Sequence, residues 1–421
     1  MTEVGGAPPH VVLLGGGYLS IWTYRSLRRK LGRRVRITLV APATAHAFHG
    51  FTAEVLSGEL PPAAQLSPFN EALRHATHVR GLARRVDRDA RTVLVDLSTG
   101  GEKELHYDYL VIGTGQYESV DTVPGMSEHA FRLRDAGRVG ELVDHLDQCV
   151  RSAGGTEDAT ERRRLLSVVV AGGGMAGVEA SAAIAQRLNR ATRGSWSGQV
   201  VLVNTSDAIA REMSPRLRGY VRAELSRSGV TVRSFSRVGE VDRNGVRLED
   251  GDRLGAATVV ATIGNRPHPL PGLDDLPLDE RGALRTDRKL QIADRIWGGG
   301  DAASVPLASG EPCPVDAAWA IGQGAWLGTN LARVIRRRPQ RDFTWKSVGV
   351  TAGFGRGHAA LRAWGLNYRG WVAWFARAAF FGYYLPSRRQ TLRVLGMVVL
   401  RRSNRSPSRA GLAPTTGAKT G

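Results

Sequence analysis

The stretch HVVLLGGGYLS, residues 10–20, decides the fold at the start of this 421-residue chain. Its apolar run predicts a buried strand, and its glycines predict a tight turn. The spacing of the apolar residues after the glycines predicts a helix. Glycine lets the backbone turn sharply and approach a pyrophosphate at the positive end of that helix. A second apolar run ends at Val40. These segments predict a dinucleotide-binding βαβ unit with Gly15 and Gly17 in the loop and the small Ser20 at the third glycine position.

The same pattern returns in LLSVVVAGGGMAGVEA, residues 165–180, followed by an apolar run that ends at Val203. Here Gly172, Gly174 and Gly177 occupy all three glycine positions of the dinucleotide fingerprint. The chain therefore carries two nucleotide-binding units. For either loop, the alternative is a glycine-rich turn without a ligand.

Neither unit has the acid that normally follows the second strand and binds the ribose 2′-hydroxyl. The sequence reads Ala41-Pro42 after the first unit and Asn204-Thr205-Ser206 after the second, with Arg211 a few residues further on. Because a carboxylate would repel a 2′-phosphate, its absence from the second unit permits NADPH without demanding it. Two dinucleotide sites in one chain indicate hydride transfer between two cofactors.

Three further segments predict how the units are connected. YDYLVIGTG (107–115) and ATVVATIG (257–264) each predict a strand closing on a glycine turn, and LQIADRIWGGGDAA (290–303) predicts a strand that returns to the first unit. We expect an α/β protein with two Rossmann-like, three-layer domains, the second inserted in the first, and a C-terminal amphipathic segment. The predicted boundaries are 8–150 and 267–335 for the first domain, 160–266 for the inserted domain, 340–402 for a membrane-anchor or dimer segment, and 403–421 for a disordered basic tail.

The composition is that of a folded globular protein, with 42% hydrophobic and 23% charged residues. The formal net charge of +19 is concentrated near the C-terminus, because residues 331–421 hold sixteen Arg and two Lys against Asp342. The body is nearly neutral, which argues against a nucleic-acid partner. With only Cys149 and Cys313 present, we expect neither a disulfide framework nor a metal site.

Residues 364–384 hold nine aromatic side chains interleaved with Arg369 and Arg377. Aromatic rings at headgroup depth and arginines near anionic lipid are typical of a segment lying in a membrane interface. No apolar stretch reaches the roughly 20 residues of a spanning helix. We predict a monotopic membrane anchor. The alternatives are a dimer interface or a lid on the first domain.

The combination of GGGYLS, YDYLVIGTG, VVVAGGGMAGVEA, VVATIGNRPHP and WGGGDAA resembles the two-dinucleotide-domain flavoproteins of the pyridine nucleotide–disulfide oxidoreductase superfamily. The run VGVTAGFGRGHAALRAWGLNYRGWVAWFARAAFFGYYLPSRRQTLRVLG, residues 348–396, is similar to the membrane-anchor pattern of type II NADH dehydrogenases, the single-subunit NAD(P)H:quinone oxidoreductases. This resemblance implies that 8–150 and 267–335 bind FAD and that 160–266 bind NADH or NADPH.

The resemblance also implies site residues. The FAD contacts would be Gly15, Gly17, Tyr18, Ser20, Thr114, Gly115, Gly300 and Asp301, and the NAD(P)H contacts Gly172, Gly174, Met175, Gly177 and Gly264. Glu179 would lie near the nicotinamide and the flavin, with an ordinary helix-start carboxylate as the alternative. The family's quinone-side motif AQxAxQ reads AAWAIG at 317–322, so Ala318, Gly322 and the neighbouring Gln323 mark the acceptor side although both family glutamines are absent.

The function implied is an FAD-dependent NAD(P)H oxidoreductase that pumps no protons, passing electrons to a membrane quinone from the cytoplasmic side of a bacterial membrane. Whether two chains pair as a homodimer stays open. One alternative is a sulfide:quinone-type enzyme with Cys149 and Cys313 as a sulfur relay. The others are a flavoprotein with a non-quinone acceptor and a non-catalytic flavin-binding redox sensor.

Overall fold

The computed structural model describes residues 7–134, 136–195 and 197–399, so the predicted tail at 403–421 lies outside the described residues. The strands are β1 (His10–Leu14), β2 (Arg36–Ala41), β3 (Ala45–Ala47), β4 (Leu66–Pro68), β5 (Thr77–Asp87), β6 (Thr92–Leu97), β7 (Glu102–His106), β8 (Tyr109–Ile112), β9 (Gln116–Glu118), β10 (Ala130–Arg132), β11 (Val168–Ala171), β12 (Val200–Val203), β13 (Val230–Arg233), β14 (Val238–Asp242), β15 (Gly245–Leu248), β16 (Arg253–Gly255), β17 (Thr258–Ala261), β18 (Asn265–Pro267), β19 (Leu284–Arg285), β20 (Gln291–Ala293), β21 (Ile296–Gly298), β22 (Ala303–Ser304), β23 (Gly349–Gly353), β24 (Ala359–Ala363) and β25 (Leu366–Arg369). The helices are α1 (Tyr18–Leu31), α2 (Thr52–Leu56), α3 (Phe69–Ala72), α4 (Met126–His129), α5 (Ala136–Gly155), α6 (Ala159–Leu165), α7 (Met175–Ala191), α8 (Pro215–Arg227), α9 (Ala317–Ile335), α10 (Gly370–Tyr384) and α11 (Arg388–Val399).

The first unit is built on an eight-stranded sheet in the order β20-β21-β8-β1-β2-β5-β6-β7. Strand β1 lies inside it, pairing in parallel with β2, where Val12 is opposite Thr38, and with β8, where Leu13 is opposite Val111. Its side chains enter two core clusters, Leu13 on one face and Leu14 on the other. Burial on both faces explains why this strand is an uninterrupted apolar run.

The second unit is a five-stranded parallel sheet in the order β10-β17-β11-β12-β13. Val169 of β11 lies opposite Val201 of β12 on one side and Val259 of β17 on the other. Strands β9 and β18 pair antiparallel, with Glu118 opposite Asn265, where the chain passes into and out of this unit. The chain then returns to the first sheet through β21, which pairs with β8.

Helices α1 and α9 pack closely because α9 carries two glycines four positions apart. A Cβ atom on Gly324 would lie 2.4 Å from the carbonyl oxygen of Leu19, and one on Gly328 would lie 2.5 Å from that of Thr23. The Thr23 hydroxyl also donates to the carbonyl oxygen of Gly324 at 3.2 Å. This close approach holds the first half of α9, with Gln323, beside the loop after β21.

The C-terminal part forms a three-stranded antiparallel sheet, β23-β24-β25, followed by α10 and α11. Ala373, Trp374 and Ala378 of α10 are buried in a core cluster that also holds Phe51 from the first unit and Val178 from the second. These elements therefore pack against both units. Within the part of the chain that the structure describes, we find no helix with the length and apolar character needed to cross a bilayer.

Candidate functional site

The first glycine loop ends in a helix N-terminus that no side chain within the described ranges caps. Gly15 adopts φ +90°, and a Cβ atom there would lie 2.2 Å from the carbonyl oxygen of Gly113 at the end of β8. Gly17 is the N-cap of α1, whose first turn holds no acid. Thr114 Oγ1 and Ser20 Oγ are buried without a hydrogen-bond partner among the described residues. Uncapped amides beside unpartnered hydroxyls fit the pyrophosphate of the predicted FAD.

Two histidines lie beside Tyr18 at the same loop. The backbone N–H of His49 donates to Tyr18 Oη at 2.8 Å, and His46 Nδ1 donates to the carbonyl oxygen of Gly16 at 3.1 Å. Burial lowers the pKa of His46 to about 3 and that of His49 to about 4, and it raises the pKa of Tyr18. All three side chains are therefore uncharged at neutral pH. His46 Nε2 is a buried acceptor that no other described group meets, so it too is available to a ligand.

Asp301, a predicted FAD contact, is held by an arginine that sequence analysis missed. Arg134 Nη1 lies 3.0 Å from Asp301 Oδ2, and Arg134 Nε donates to Asn265 Oδ1 of β18 at 3.1 Å. The neighbouring Gly300 donates its N–H to Gln323 Oε1 at 2.6 Å. Arg134 therefore links the loop of Asp301 to the crossover between the units. No local pattern marks this residue, because its partners lie far away in the chain.

The three fingerprint glycines of the second loop have different surroundings: two pack closely against neighbouring atoms and one borders open space. A Cβ atom on Gly172, where φ is +116°, would lie 2.6 Å from Thr262 Oγ1, and one on Gly177 would lie 1.9 Å from the carbonyl oxygen of Gly172. A Cβ atom on Gly174 would have nothing within 4 Å. Gly174 is the N-cap of α7, which begins at Met175 with no capping side chain in the described structure. The space beside Gly174 fits the pyrophosphate of NAD(P)H.

Gly264 and Gly115, two other predicted contacts, have different surroundings. Gly264 adopts φ +74°, and a Cβ atom there would lie 2.2 Å from the carbonyl oxygen of Ser119, so this glycine allows the close backbone approach next to the antiparallel pair β9 and β18. Gly115 adopts φ +71° with nothing within 4 Å of a Cβ position. Close backbone packing therefore explains the glycine at position 264 without a ligand, whereas the space at Gly115 is open to a ligand.

Glu179 belongs to an ion-pair cluster that joins α2, α7 and α10. Glu179 Oε1 accepts a hydrogen bond from the backbone N–H of Gly353 at 2.6 Å and lies 3.1 Å from Arg377 Nη2. Arg377 also pairs with the carboxylate of Glu54 and donates to the carbonyl oxygen of Gly50 at 2.9 Å. The cluster contains one cation and two acids, and sequence analysis identified only Glu179 as a site residue.

Burial and the neighbouring charges shift the pKa values of Glu179 and Arg377 in this cluster. Burial raises the pKa of the Glu179 carboxyl, although Arg377 opposes the shift. Burial alone would lower the pKa of the Arg377 guanidinium, but Glu54 and Glu179 outweigh it and raise that pKa. Arg377 therefore keeps its charge, while Glu179 is the member that accepts a proton more readily than an exposed carboxylate.

The expectation that Arg377 lies near anionic lipid is wrong. Its side chain is only 3% exposed, and the guanidinium pairs with the carboxylates of Glu54 on α2 and Glu179 on α7. The outer face of the helix carries Trp371, Val372 and Phe375, which are more than half exposed. The aromatic residues of this segment thus divide into a buried face and an outer face.

The predicted acceptor-side residues lie on the first half of α9 but have different surroundings. Ala318 is half-buried in the first turn. A Cβ atom on Gly322 would lie 2.4 Å from the indole of Trp345, which covers this position. Gln323 is buried and bonded to Gly300, so it supports the loop of the predicted FAD contacts. A role of these residues toward an acceptor stays a prediction.

Both cysteines are buried and unfavourable as thiolates. Burial raises the pKa of Cys149, and it raises that of Cys313 to about 11. A sulfur relay needs a reactive thiolate, so these environments do not favour the sulfide:quinone-type alternative. Over residues 7–134, 136–195 and 197–399, no group of three or more His, Cys, Asp or Glu side chains is placed to hold a metal ion.

Two Rossmann-type units, one inserted in the other and each with a glycine loop fit for a dinucleotide, define the class of two-dinucleotide flavoproteins. Residues 9–324 match the family described as pyridine nucleotide-disulphide oxidoreductase, and the chain belongs to this family. Membership confirms the predicted α/β fold class, the oxidoreductase class, and the use of FAD with NADH or NADPH.

Similar proteins extend over nearly the whole chain. Demethylphylloquinone reductase NdbB of Synechocystis is 27% identical over 402 residues, covering 92% of this chain and 95% of the relative. The type II NADH:quinone oxidoreductase NdhA of Mycobacterium tuberculosis is 24% identical over 426 residues, covering 94% and 87%. The solved structure of NDH2 from Plasmodium falciparum in complex with NADH shares the fold, with a TM-score of 0.83 at 13% identity, covering 93% of this chain and 98% of that one.

Proposed function

We propose that this chain is an FAD-dependent NAD(P)H:quinone oxidoreductase. The observation that carries the proposal is the pair of glycine loops, each with an uncapped helix N-terminus, on two units joined by β9 and β18. Relatives named as quinone reductases, aligned over most of their length, support a quinone as the acceptor class. When bound, FAD supplies the redox chemistry by taking a hydride from the nicotinamide and passing two electrons on.

The protein's part is to bind, orient and shield the reactants. In this proposal residues 8–150 and 267–335 form the FAD domain, where Gly15 and Gly17 present the amides of α1 to the pyrophosphate. Asp301, positioned by Arg134, binds the ribityl chain. Residues 160–266 form the NAD(P)H domain.

Glu179 is the proposed proton-holding group. Reduction of a quinone to a quinol takes up two protons, and a carboxyl whose pKa is raised by burial holds a proton more readily than an exposed carboxyl does. After that proton has left, Arg377 stabilises the carboxylate form of Glu179, because Arg377 Nη2 lies 3.1 Å from Glu179 Oε1. Glu54 fixes the guanidinium from the opposite side.

We further propose that the outer face of α10 rests on the cytoplasmic surface of a bacterial membrane. Trp371, Val372 and Phe375 expose apolar surface there, and Arg388 and Arg389 at the start of α11 supply positive charge for anionic lipid. A quinone could then reach the site from the lipid side without leaving the bilayer. Pairing of two chains through the same face is the alternative use of this surface.

The decisive experiment is an anaerobic titration of FAD-loaded protein with NADH and with NADPH in a stopped-flow spectrophotometer. We expect the flavin absorbance near 450 nm to bleach with at least one nicotinamide and to recover when a soluble quinone is added. Bleaching without recovery would contradict the quinone assignment. No bleaching by either nucleotide would refute the oxidoreductase assignment and favour the redox sensor.

A further inference from the structure

We infer that the second unit prefers NADPH to NADH and recognises the 2′-phosphate through Arg211 and Ser206. This inference rests on the proposed function, because it concerns the nicotinamide nucleotide bound by the same unit. It goes further in naming the phosphorylated dinucleotide as the substrate and two residues as the source of specificity.

The residue at the end of β12 cannot act as the ribose-binding acid of an NADH site. Asn204 stands there, and its Nδ2 donates to the carbonyl oxygens of Ser206 at 2.7 Å and Ala208 at 3.3 Å. Its Oδ1 lies 2.7 Å from the Cβ position of Gly173, so the side chain fills the space beside the glycine loop. An amide that supports its own loop brings no negative charge to the ribose.

Arg211 supplies a positive charge at the same loop. Its Nη2 donates to Ser206 Oγ at 2.7 Å, and the residue is exposed. Among the described residues, no carboxylate lies within ion-pair distance of Arg211. The guanidinium and the hydroxyl are therefore already adjacent and can both donate to a phosphate, as 2′-phosphate recognition requires.

Neither acid close to Arg211 in the chain forms an ion pair with it among the described residues. Asp207 is the one acidic residue between Asn204 and Arg211 in the sequence. Its Oδ1 pairs with Nη2 of Arg222 on α8 at 2.7 Å. Glu212 has no ion pair with Arg211 among the described residues, and its charge adds to the effect of burial in raising the pKa of Asp316 at the start of α9. Arg233, at the end of β13, is a second cation near this loop, but it is paired with Asp250 and Asp252.

Among the described residues of the loop between β12 and α8, Arg211 is therefore a cation without a carboxylate partner and is available to a phosphate dianion. Hydrogen bonds from this pair to the charged phosphate should give NADPH a preference of about tenfold or more in kcat/KM. A bound NADH would lack the phosphate and gain nothing from this pair. The expected difference lies mainly in KM, because the 2′-phosphate is remote from the nicotinamide.

The test compares NADPH with NADH for the FAD-loaded wild type, Arg211→Ala, Asn204→Asp and the control Arg216→Ala, which removes an exposed arginine of α8 close by in the chain. We expect the wild type and the control to prefer NADPH by about tenfold or more. Arg211→Ala should lose that preference through a higher KM for NADPH alone, and Asn204→Asp should reverse it. A wild type that uses NADH equally well, or an unchanged ratio in Arg211→Ala, would overturn the inference.

A binding measurement separates this inference from the proposed function. Calorimetric titration with adenosine 2′,5′-bisphosphate and with AMP needs no turnover. The wild type should bind the bisphosphate at least about tenfold more tightly, and Arg211→Ala should bind the two alike. If the bisphosphate preference is found while neither nicotinamide bleaches the flavin, the proposed function fails and the phosphate site stands. Equal binding of the two probes by the wild type refutes the phosphate site.

Discussion

Arg377 of α10 and Glu179 of α7 are 198 positions apart in the chain and lie 3.1 Å from each other, measured from Nη2 to Oε1. The same guanidinium pairs with Glu54 of α2, 323 positions away. One buried cation thus ties α10 to both nucleotide-binding units. Removing one partner of such a cluster leaves uncompensated buried charge, whose cost exceeds the contribution of an exposed ion pair.

We therefore expect Arg377→Met to destabilise the protein by about 3–5 kcal/mol, because Glu54 and Glu179 would face each other without the cation. Chemical unfolding followed by fluorescence would measure the loss. The matched control is Arg369→Met, which removes an exposed arginine just before the same helix and should cost less than about 1 kcal/mol. Equal losses in the two variants would show that the cluster does not hold α10 in place.

The pairing of β9 with β18 depends on Gly264, which immediately precedes β18. Gly264→Ala should destabilise the protein by more than about 2 kcal/mol, because the added Cβ would collide with the carbonyl oxygen of Ser119 in addition to the strain of positive φ. Gly251→Ala is the control, since Gly251 has φ +93° and open space around it. That variant should cost about 1–2 kcal/mol from backbone strain alone. Thermal unfolding of both variants checks the difference.

The open space beside Gly174 leads us to a separate prediction, which concerns binding of the nicotinamide nucleotide. Gly174→Ala should fold normally, because its φ is −70° and no atom lies within 4 Å of the Cβ position. Its methyl group should intrude on the pyrophosphate and raise KM for the nicotinamide nucleotide by about tenfold, with FAD content unchanged. Gly219→Ala, on the open surface of α8, is the control. A normal KM in Gly174→Ala would place the pyrophosphate elsewhere.

His46 makes stability depend on pH in acid. Burial lowers its pKa from 6.5 to about 3, so below pH 6.5 the unfolded chain binds a proton that the folded protein excludes. Stability should fall by up to about 1.4 kcal/mol per pH unit from this group, or about 1.7 kcal/mol between pH 6.5 and 5. His46→Asn should flatten the profile by that amount, whereas replacement of the exposed His106 by Asn should not. Urea unfolding at pH 6.5 and pH 5 measures how the stability of the wild type and of each variant changes with pH. An equal change in the wild type and in His46→Asn would refute a buried neutral His46.

The outer face of α10 predicts attachment to lipid. Replacing Val372 and Phe375 by Ser should weaken partitioning into vesicles of phosphatidylcholine and phosphatidylglycerol by about tenfold or more, since both side chains would lose apolar contact. Phe235→Ser, which removes a 77% exposed ring from the second unit, is the control. Flavin reduction by the nicotinamide nucleotide should be unchanged in both. A concentration-dependent change in oligomeric state instead of lipid binding would favour the dimer alternative.

Much of the architecture follows from the sequence because the deciding residues are neighbours in the chain. A strand, a glycine turn and a helix occupy about a dozen consecutive positions around Gly15 and again around Gly172, so local spacing predicts both nucleotide-binding units.

Only the tertiary structure decided how distant charges meet. Arg377 has the sequence context of a lipid-facing arginine, and Arg134 that of an ordinary surface residue, yet one is buried between carboxylates and the other holds Asp301. Sequence spacing cannot distinguish these cases, because the energy of a charged side chain depends on which groups the fold brings within a few ångströms of it. The sequence by itself determined the two dinucleotide-binding units, whereas packing of the C-terminal elements against both determined the charged cluster around Glu179.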